Sequence, residues 1–418
     1  MAKDNIIVGL DVGTSKVRTV IASIREKEDG RPKIIGVGES PSNGMRKGVV
    51  VDIEEMTKSI KRSVDNAERL SGINIDKVYV SVGGSHIKSR LNKGVAAVSR
   101  ADEEFTQEDV RRAIDNASIL YLDPNREIIH IIPRDFNIDG QAGIQDPRGM
   151  NGFKLEVDAL IVEGLSPYLK NLRKCVNNAG LQIEALVLNV LAASNAVLTK
   201  KQKELGVLVL DFGGGTVSMA VYEEGKLLHM SVLPVGSGHI TNDIAVGLRT
   251  SVETAEKIKL NYGSCVPEDV GKKENIDISK IDEKEEGIVS RRELSKIIEA
   301  RMDDIFSLVN KELKKINRES YLPAGAILVG GGAKTPDILD LAKGKLKLSV
   351  QIGYPQGVEG LVEKIDDPAF ATSIGLVFWA LEVGDESEEG INHSREHGVS
   401  FFSKLIAKLK KVLKNFIP

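Results

Sequence analysis

One sixteen-residue pattern occurs twice in this chain, 200 positions apart. Residues 6–21 read IIVGLDVGTSKVRTVI and residues 206–221 read GVLVLDFGGGTVSMAV. In register, Leu10 falls on Leu210, Asp11 on Asp211, Gly13 on Gly213 and Val17 on Val217. Each copy is a β-branched-rich strand, a small-residue turn opening with Asp-x-Gly, and a second alternating strand. A further strand follows each copy (33–38 and 226–233), and then a helical stretch. The order β-β-β-α predicts two related α/β halves, each with a mixed sheet. At 418 residues the chain is too long for one hydrophobic core, which agrees with two or more domains.

The repeated turn has a chemical reading. Gly13, and Gly213, Gly214 and Gly215, leave no Cβ in the way, so backbone N–H groups can converge on phosphate oxygens. Thr14, Ser15 and Thr216 add hydroxyl donors. An Asp closing the first strand of each copy, Asp11 and Asp211, can hold a hydrated Mg²⁺ beside those phosphates, because Mg²⁺ keeps several of its waters. A third glycine loop, GGGAKTPD at 330–337, follows a short strand at 326–329 and fits neither the Walker A nor the dinucleotide pattern.

Composition narrows the classes. The chain is 41% hydrophobic and 28% charged, as ordinary globular proteins are. A net charge of −3 excludes a globally basic nucleic-acid binder. Cys175 and Cys265 are too few for a disulfide framework, and the six histidines form no metal-binding motif. The N-terminal residues enter an apolar strand with no basic n-region or cleavage site, so a cytoplasmic protein is the expectation.

These residues resemble the actin, Hsp70 and hexokinase superfamily of ATPases at 9–18, 208–216 and 326–334, with connecting helices at Leu186–Leu198 and Phe370–Ala380. Within it, GLDVGTSKVR, the segment Gly44–Asp52, LNVLAASNAVLT and residues 236–245 are similar to the FtsA family of bacterial cell-division proteins. The resemblance covers essentially the whole chain. It implies an α/β, actin-like fold of two ribonuclease-H-like halves. Subdomain 1A would comprise 1–84, 164–197 and 365–383, an inserted 1C 85–163, 2A 198–235 and 318–364, and 2B 236–317. ATP and Mg²⁺ would bind between the halves through Gly13, Thr14, Ser15, Lys16 and Gly213–Thr216. Gly331, Gly332 and Ala333 would pack on adenosine, and Glu256 and Lys259 would reach ribose and base, although a solvated helix face has the same spacing. A helix at 105–120 would belong to 1C, with Thr106 as its N-cap. In the superfamily a Glu or Gln on the first connecting helix orients the attacking water; here that position holds Asn189. An amide is no general base, and Asn is a methylene shorter than Gln, so hydrolysis should be slow or negligible. The implied partners are further copies in a filament, other division proteins, and the C-terminal peptide of the tubulin-like protein FtsZ. That peptide would dock on 2B near Arg291, Arg292, Lys296 and Arg301, read as an exposed basic helix face.

The C-terminal stretch changes character. Residues 384–399 hold five acids and almost no large apolar group, the composition of a flexible tether spanning about 20–25 Å. Beyond it, Phe401, Phe402, Leu405, Ile406, Leu409, Val412, Leu413 and Phe416 form a helical stripe, with five lysines on the other side. This predicts an amphipathic helix over 400–418 lying in the interface of an anionic membrane, on its cytoplasmic side. A helix docked on its own domain is the blander alternative. At the scale of function, the competing reading is a metabolite kinase or activase of the same superfamily. A kinase needs a carboxylate base facing a substrate hydroxyl, for which no residue stands out, and it has no use for a lipid-binding tail.

Overall fold

A computed structural model describes residues 5–24, 31–97, 104–119 and 123–388. The first half opens with strands β1 (Asn5–Val12), β2 (Lys16–Ile24) and β3 (Lys33–Pro41), then the short pair β4 (Met45–Arg46) and β5 (Val49–Val50), helix α1 (Ile53–Ser71) and strand β6 (Lys77–Val82). Helix α1 begins where Asp52 accepts the Glu55 N–H at 3.1 Å and ends at Gly72 in the left-handed region. Its buried stripe, Met56, Ile60, Val64 and Ala67, lies on β3. The approach is close, since a Cβ on Gly38 would stand 1.9 Å from the Ser63 carbonyl oxygen.

An insertion follows. Strand β7 (Lys88–Ala97), helix α2 (Gln107–Ala117) and strands β8 (Arg126–Ile138), β9 (Gln141–Ile144) and β10 (Lys154–Leu165) build an antiparallel sheet in the order β7-β10-β8-β9. Phe105, Ala113, Phe136, Leu155, Val157 and Ile161 give it a core of its own. The chain then returns through α3 (Ser166–Asn178), β11 (Gln182–Leu188) and α4 (Asn189–Val197). The connecting helix anticipated from Leu186 therefore starts at Asn189. Leu186–Leu188 pair instead with Val80–Val82, where three parallel ladder positions outweigh local helix propensity.

The second half repeats the first. Helix α5 (Lys200–Leu205) leads into β12 (Val207–Phe212), β13 (Val217–Glu223), β14 (Lys226–Leu233), α6 (Ser237–Leu248) and α7 (Val252–Tyr262). A small hairpin, β15 (Asn275–Asp277) and β16 (Ile288–Ser290), precedes the long α8 (Arg291–Lys315), then β17 (Ala326–Val329), α9 (Ile338–Leu346) and β18 (Val350–Ile352). Strand β19 (Glu359–Gly360), α10 (Val362–Ile365) and α11 (Ala371–Glu388) return to the first half. The sheets run β11-β6-β1-β2-β3-β19 and β18-β17-β12-β13-β14. In both, the strand carrying the repeated Asp is third, between a parallel neighbour and an antiparallel hairpin partner.

Helices α4 and α11 cross between these sheets, α11 against β1 and α4 against β12. A Cβ on Gly375 would lie 1.7 Å from the Ala192 carbonyl oxygen, so glycine sets this crossing. One apolar cluster runs from Leu10, Val20 and Ile60 through Val190, Ala193 and Ile374 to Val209 and Ile327. Helix α11 extends through Glu388, past Gly384, where the sequence reading began a flexible tether. Once nucleated on its buried turns, each added residue gains a backbone hydrogen bond for little further ordering, which carries it over one glycine. The rest of that tether and the amphipathic segment 400–418 lie outside the described residues.

Candidate functional site

The duplicated strands bring their turns face to face. In the first copy the Gly13 N–H donates to the Lys16 carbonyl at 3.2 Å; in the second the Gly213 N–H donates to the Thr216 carbonyl at 3.0 Å. These two N–H groups therefore close the turns rather than point outward. Among the described residues, the N–H groups of Thr14, Ser15, Gly214 and Gly215 are left without a partner. The turns nearly touch: a Cβ on Gly214 would meet Ser15 Oγ at 2.0 Å, and one on Gly215 would meet Thr14 Oγ1 at 2.8 Å. Thr14 Oγ1 accepts the Gly48 N–H at 3.0 Å, and the start of α6 seats on the second turn through Ser237 N–H to Gly213 O at 2.9 Å.

Asp11 and Asp211 stand behind the turns. Asp11 Oδ1 accepts from Ser81 Oγ at 2.7 Å, and Asp211 Oδ2 accepts from Asn189 Nδ2 at 2.7 Å. Burial raises the pKa of Asp11, against the pull of Arg18 and Ser81. Burial, then the charge of Asp11, pushes Asp211 up to about 7, with Asn189, Arg18 and Thr372 opposing. Two buried carboxylates, the charge of Asp11 raising the proton affinity of Asp211, stand beside unpaired N–H donors. A hydrated divalent cation bound to an anionic ligand satisfies both. Among the described residues no three His, Cys, Asp or Glu side chains cluster as a cage.

The cleft encloses about 690 Å³ and reaches both halves. Asp11, Gly13, Thr14, Ser15, Lys16, Asn189, Asp211, Gly213, Gly214, Thr216, Glu256, Lys259, Gly331 and Gly332 all line it. Ala333 does not: it is 2% exposed and packs into the second half's core, while Gly330 takes the cleft wall. Gly215 turns toward Lys47 and Thr14 instead of the cavity. At the far end Lys259 is buried, its Nζ donating to Thr241 Oγ1 at 2.8 Å and Glu256 Oε2 at 2.6 Å. Lys259 is therefore not on a solvated face, whereas the side chain of Glu256 stays 44% exposed.

Several residues escaped sequence reasoning. Arg18 lies opposite Asp11 across the first hairpin, bonds Glu39 at 2.7 Å and covers the Phe370 ring at 5.3 Å. Counting outward from the turn would have found it, since Gly13 closing on Lys16 forces Val12 onto Val17 and Asp11 onto Arg18. The second copy places Ser218 there, bonded to Asn189 at 3.1 Å. Ser81, Thr241, Asp367 and Thr372 also line or brace the cleft with no motif to mark them.

The basic helix face is not the free surface anticipated. Arg291 donates to Tyr262 O at 2.9 Å and to Glu274 at 2.6 Å, and Arg301 forks onto Asp243 at 2.5 and 3.0 Å. Lys296 pairs with Glu293 at 2.8 Å. Arg292 is half-buried. Acids on neighbouring elements, invisible to a single-helix reading, take up Arg291 and Arg301, while Lys296 pairs within its own helix and stays exposed.

Comparison with known proteins gives these features a context. A family model described as "Cell division protein FtsA" matches residues 208–375, and one described as an SHS2 domain inserted in FtsA matches 84–163. The cell division protein FtsA of Pseudomonas aeruginosa is 35% identical over 377 residues, covering 90% of this chain and 89% of its own length. That of Bacillus subtilis is 36% identical over 380 residues, covering 91% and 84%. Among solved structures, a PilM–PilN type IV pilus biogenesis complex superposes with a TM-score of 0.65 at 16% identity, over 90% of this chain and 98% of the other. MreB5 of Spiroplasma citri bound to ADP gives 0.53 at 14%, over 92% and 99%. The fold is thus the actin-like one, with the insertion in the sheet β7–β10.

Proposed function

The chain belongs to the FtsA family of cell-division proteins, and on that premise we propose that it is a Mg²⁺-ATP-dependent scaffold that ties the division ring to the membrane. The observation that carries this reading is the pair of Asp–Gly turns facing each other across one cleft, with Lys259 and Glu256 at its other end. Thr14, Ser15 and Gly214 would donate to phosphate oxygens, and Lys16 and Arg18, now held by Glu39 at 2.8 and 2.7 Å, would supply positive charge. Bound Mg²⁺ would neutralise phosphate charge, held by Asp11 and Asp211 through its waters. Glu256, Lys259, Gly331 and Gly332 would receive the nucleoside.

Hydrolysis would be weak. Asn189 is already spent on Asp211 and Ser218 and offers no basic group to a water. The nucleotide then acts mainly as a clamp that fixes the angle between halves, favouring head-to-tail assembly of copies. The 2B region 236–317 would receive the FtsZ C-terminal peptide, with Arg292 and Lys296 more available to it than Arg291 or Arg301. No described helix is long and apolar enough to cross a membrane, so attachment falls to residues 400–418 lying on an anionic leaflet. A metabolite kinase is disfavoured because three of the cleft's other carboxylates, Glu39, Glu256 and Asp367, are each tied to a cation at 2.5–2.8 Å.

Calorimetric titration with Mg²⁺-ATP tests the premise. The parent chain should bind, and Asp211→Ala should weaken binding at least about tenfold, or 1.4 kcal/mol, with the fold intact. Equal affinity in the Asp211→Ala and Asp11→Ala variants would remove the metal assignment.

A further inference from the structure

The insertion is fastened to the first half, to the cleft and to the second half at once. Its root is pinned by a buried ion pair, Arg126 to Glu163 at 2.8 Å, both side chains about 5% exposed or less. Arg126 also donates to the His86 carbonyl at 2.8 Å, and His86 lines the cleft. Higher up, His130 Nε2 accepts the Leu188 N–H at 3.0 Å, immediately before Asn189, while its ring packs on Trp379 of α11 at 5.0 Å. The insertion thereby holds the start of α4, whose first residue bonds Asp211.

Two of its strands, β7 and β8, reach the other half. Ser89 on β7 donates to the Met230 carbonyl on β14 at 2.9 Å, and Asp135 on β8 pairs with Lys226 on β14 at 2.5 Å. Next to Asp135, Arg134 keeps a buried Nε that finds no partner among the described residues. Across the seam stand His229 and Glu312, themselves bonded at 3.2 Å, and the charge of Arg134 adds to burial in lowering the pKa of His229. A buried donor without a partner at this seam is a local cost that a shift of the two strands could relieve.

We propose that the insertion is a conformational relay: sliding of β7 and β8 along β14 and closure of the cleft are one movement. This rests on the nucleotide reading above. Because β7 and β8 are rooted in the first half and seated on the second, the halves cannot change angle without breaking or shifting Ser89–Met230 and Asp135–Lys226. The same shift pulls on His130, hence on the start of α4 and on Asn189. Coupling is reciprocal, so anything that binds the insertion's outer face in one placement changes nucleotide affinity by the same factor.

Hydrogen–deuterium exchange of the full chain, with and without Mg²⁺-ATP, tests this. In the parent, nucleotide should change amide protection in the turns at 13–16 and 213–216 and also in 88–97 and 126–138. Asp135→Lys, which sets two cations together on the seam, should shrink the change in 88–97 and 126–138 at least about fivefold, the scale of an ordinary allosteric coupling, while the turns still respond. The charge swap Asp135→Lys with Lys226→Glu should restore it, which also shows that loss in the single variant is not misfolding. The turns report nucleotide binding separately. Responding turns beside an unresponsive parent insertion, or an Asp135→Lys insertion that responds as the parent does, would overturn the relay while leaving nucleotide binding standing.

Discussion

At the scale of single residues, the protein keeps ionisable groups where their neighbours decide their charge. His130 and His86 are both held at a pKa of about 4 by burial, with Arg126 adding to the effect on His86. An unfolded histidine takes up its proton near pH 6.5, so between about 6.5 and 4 the unfolded chain binds more protons than the folded one. Stability from these rings is therefore complete above pH 6.5 and declines as pH falls toward 4. Asp211, with its carboxyl raised, works in the opposite sense, so the comparison must be made against a variant. His130→Gln keeps an acceptor for the Leu188 N–H but removes the proton uptake. Its urea midpoint should fall less between pH 7 and pH 5 than the parent's, and parallel curves would show that His130 is not the titrating group. Residues of this kind were hardly legible beforehand. His130 and Ser81 sit in no motif, and their roles exist only because β8 and β6 bring them to Leu188 and Asp11. The paired Asp residues were legible because the duplication repeats them in register.

Among the elements, the crossing of α4 and α11 packs the sheets of the two halves together. With Gly375 against the Ala192 carbonyl, a methyl group has nowhere to go unless the helices part. Gly375→Ala should cost about 1–3 kcal/mol by overpacking, despite the better helix propensity of alanine, and lower the thermal midpoint by a few degrees. A midpoint equal to the parent's would mean that the crossing yields freely. Local sequence pattern placed α2 well, because that helix buries one face continuously. It failed at Leu186–Leu188, where a parallel strand neighbour 106 residues earlier decides the structure, and at Arg291 and Arg301, whose acidic partners come from other elements. For the tail, burial of the apolar stripe should matter more than any one lysine, since surface charge is screened beyond about 8 Å at physiological salt. Leu405→Glu with Leu409→Glu should abolish sedimentation with anionic vesicles while leaving Mg²⁺-ATP affinity unchanged; undiminished sedimentation would place the anchor elsewhere.

For the whole molecule, the proposed function combines three weak elements. One interfacial helix would hold a membrane poorly, one head-to-tail contact would be easily lost, and a nucleotide scarcely hydrolysed would supply no stroke. Assembly would make them effective together, because copies linked in a row would present many helices to one surface, and attachment would then rise steeply with the number linked. The fold itself was readable at this scale from the repeat, since two β-β-β-α units with matching Asp positions demand two matching sheets. The relation between the halves was not, because it depends on the packing of α4, α11 and the insertion. The most direct measurement is sedimentation of the full chain with anionic vesicles across a protein concentration series, with and without Mg²⁺-ATP, beside Asp211→Ala. The parent's bound fraction should rise sharply above a threshold concentration only when Mg²⁺-ATP is present, and Asp211→Ala should follow the shallow nucleotide-free curve throughout. Identical curves for the parent with and without nucleotide would contradict the claim that the cleft governs assembly on the membrane.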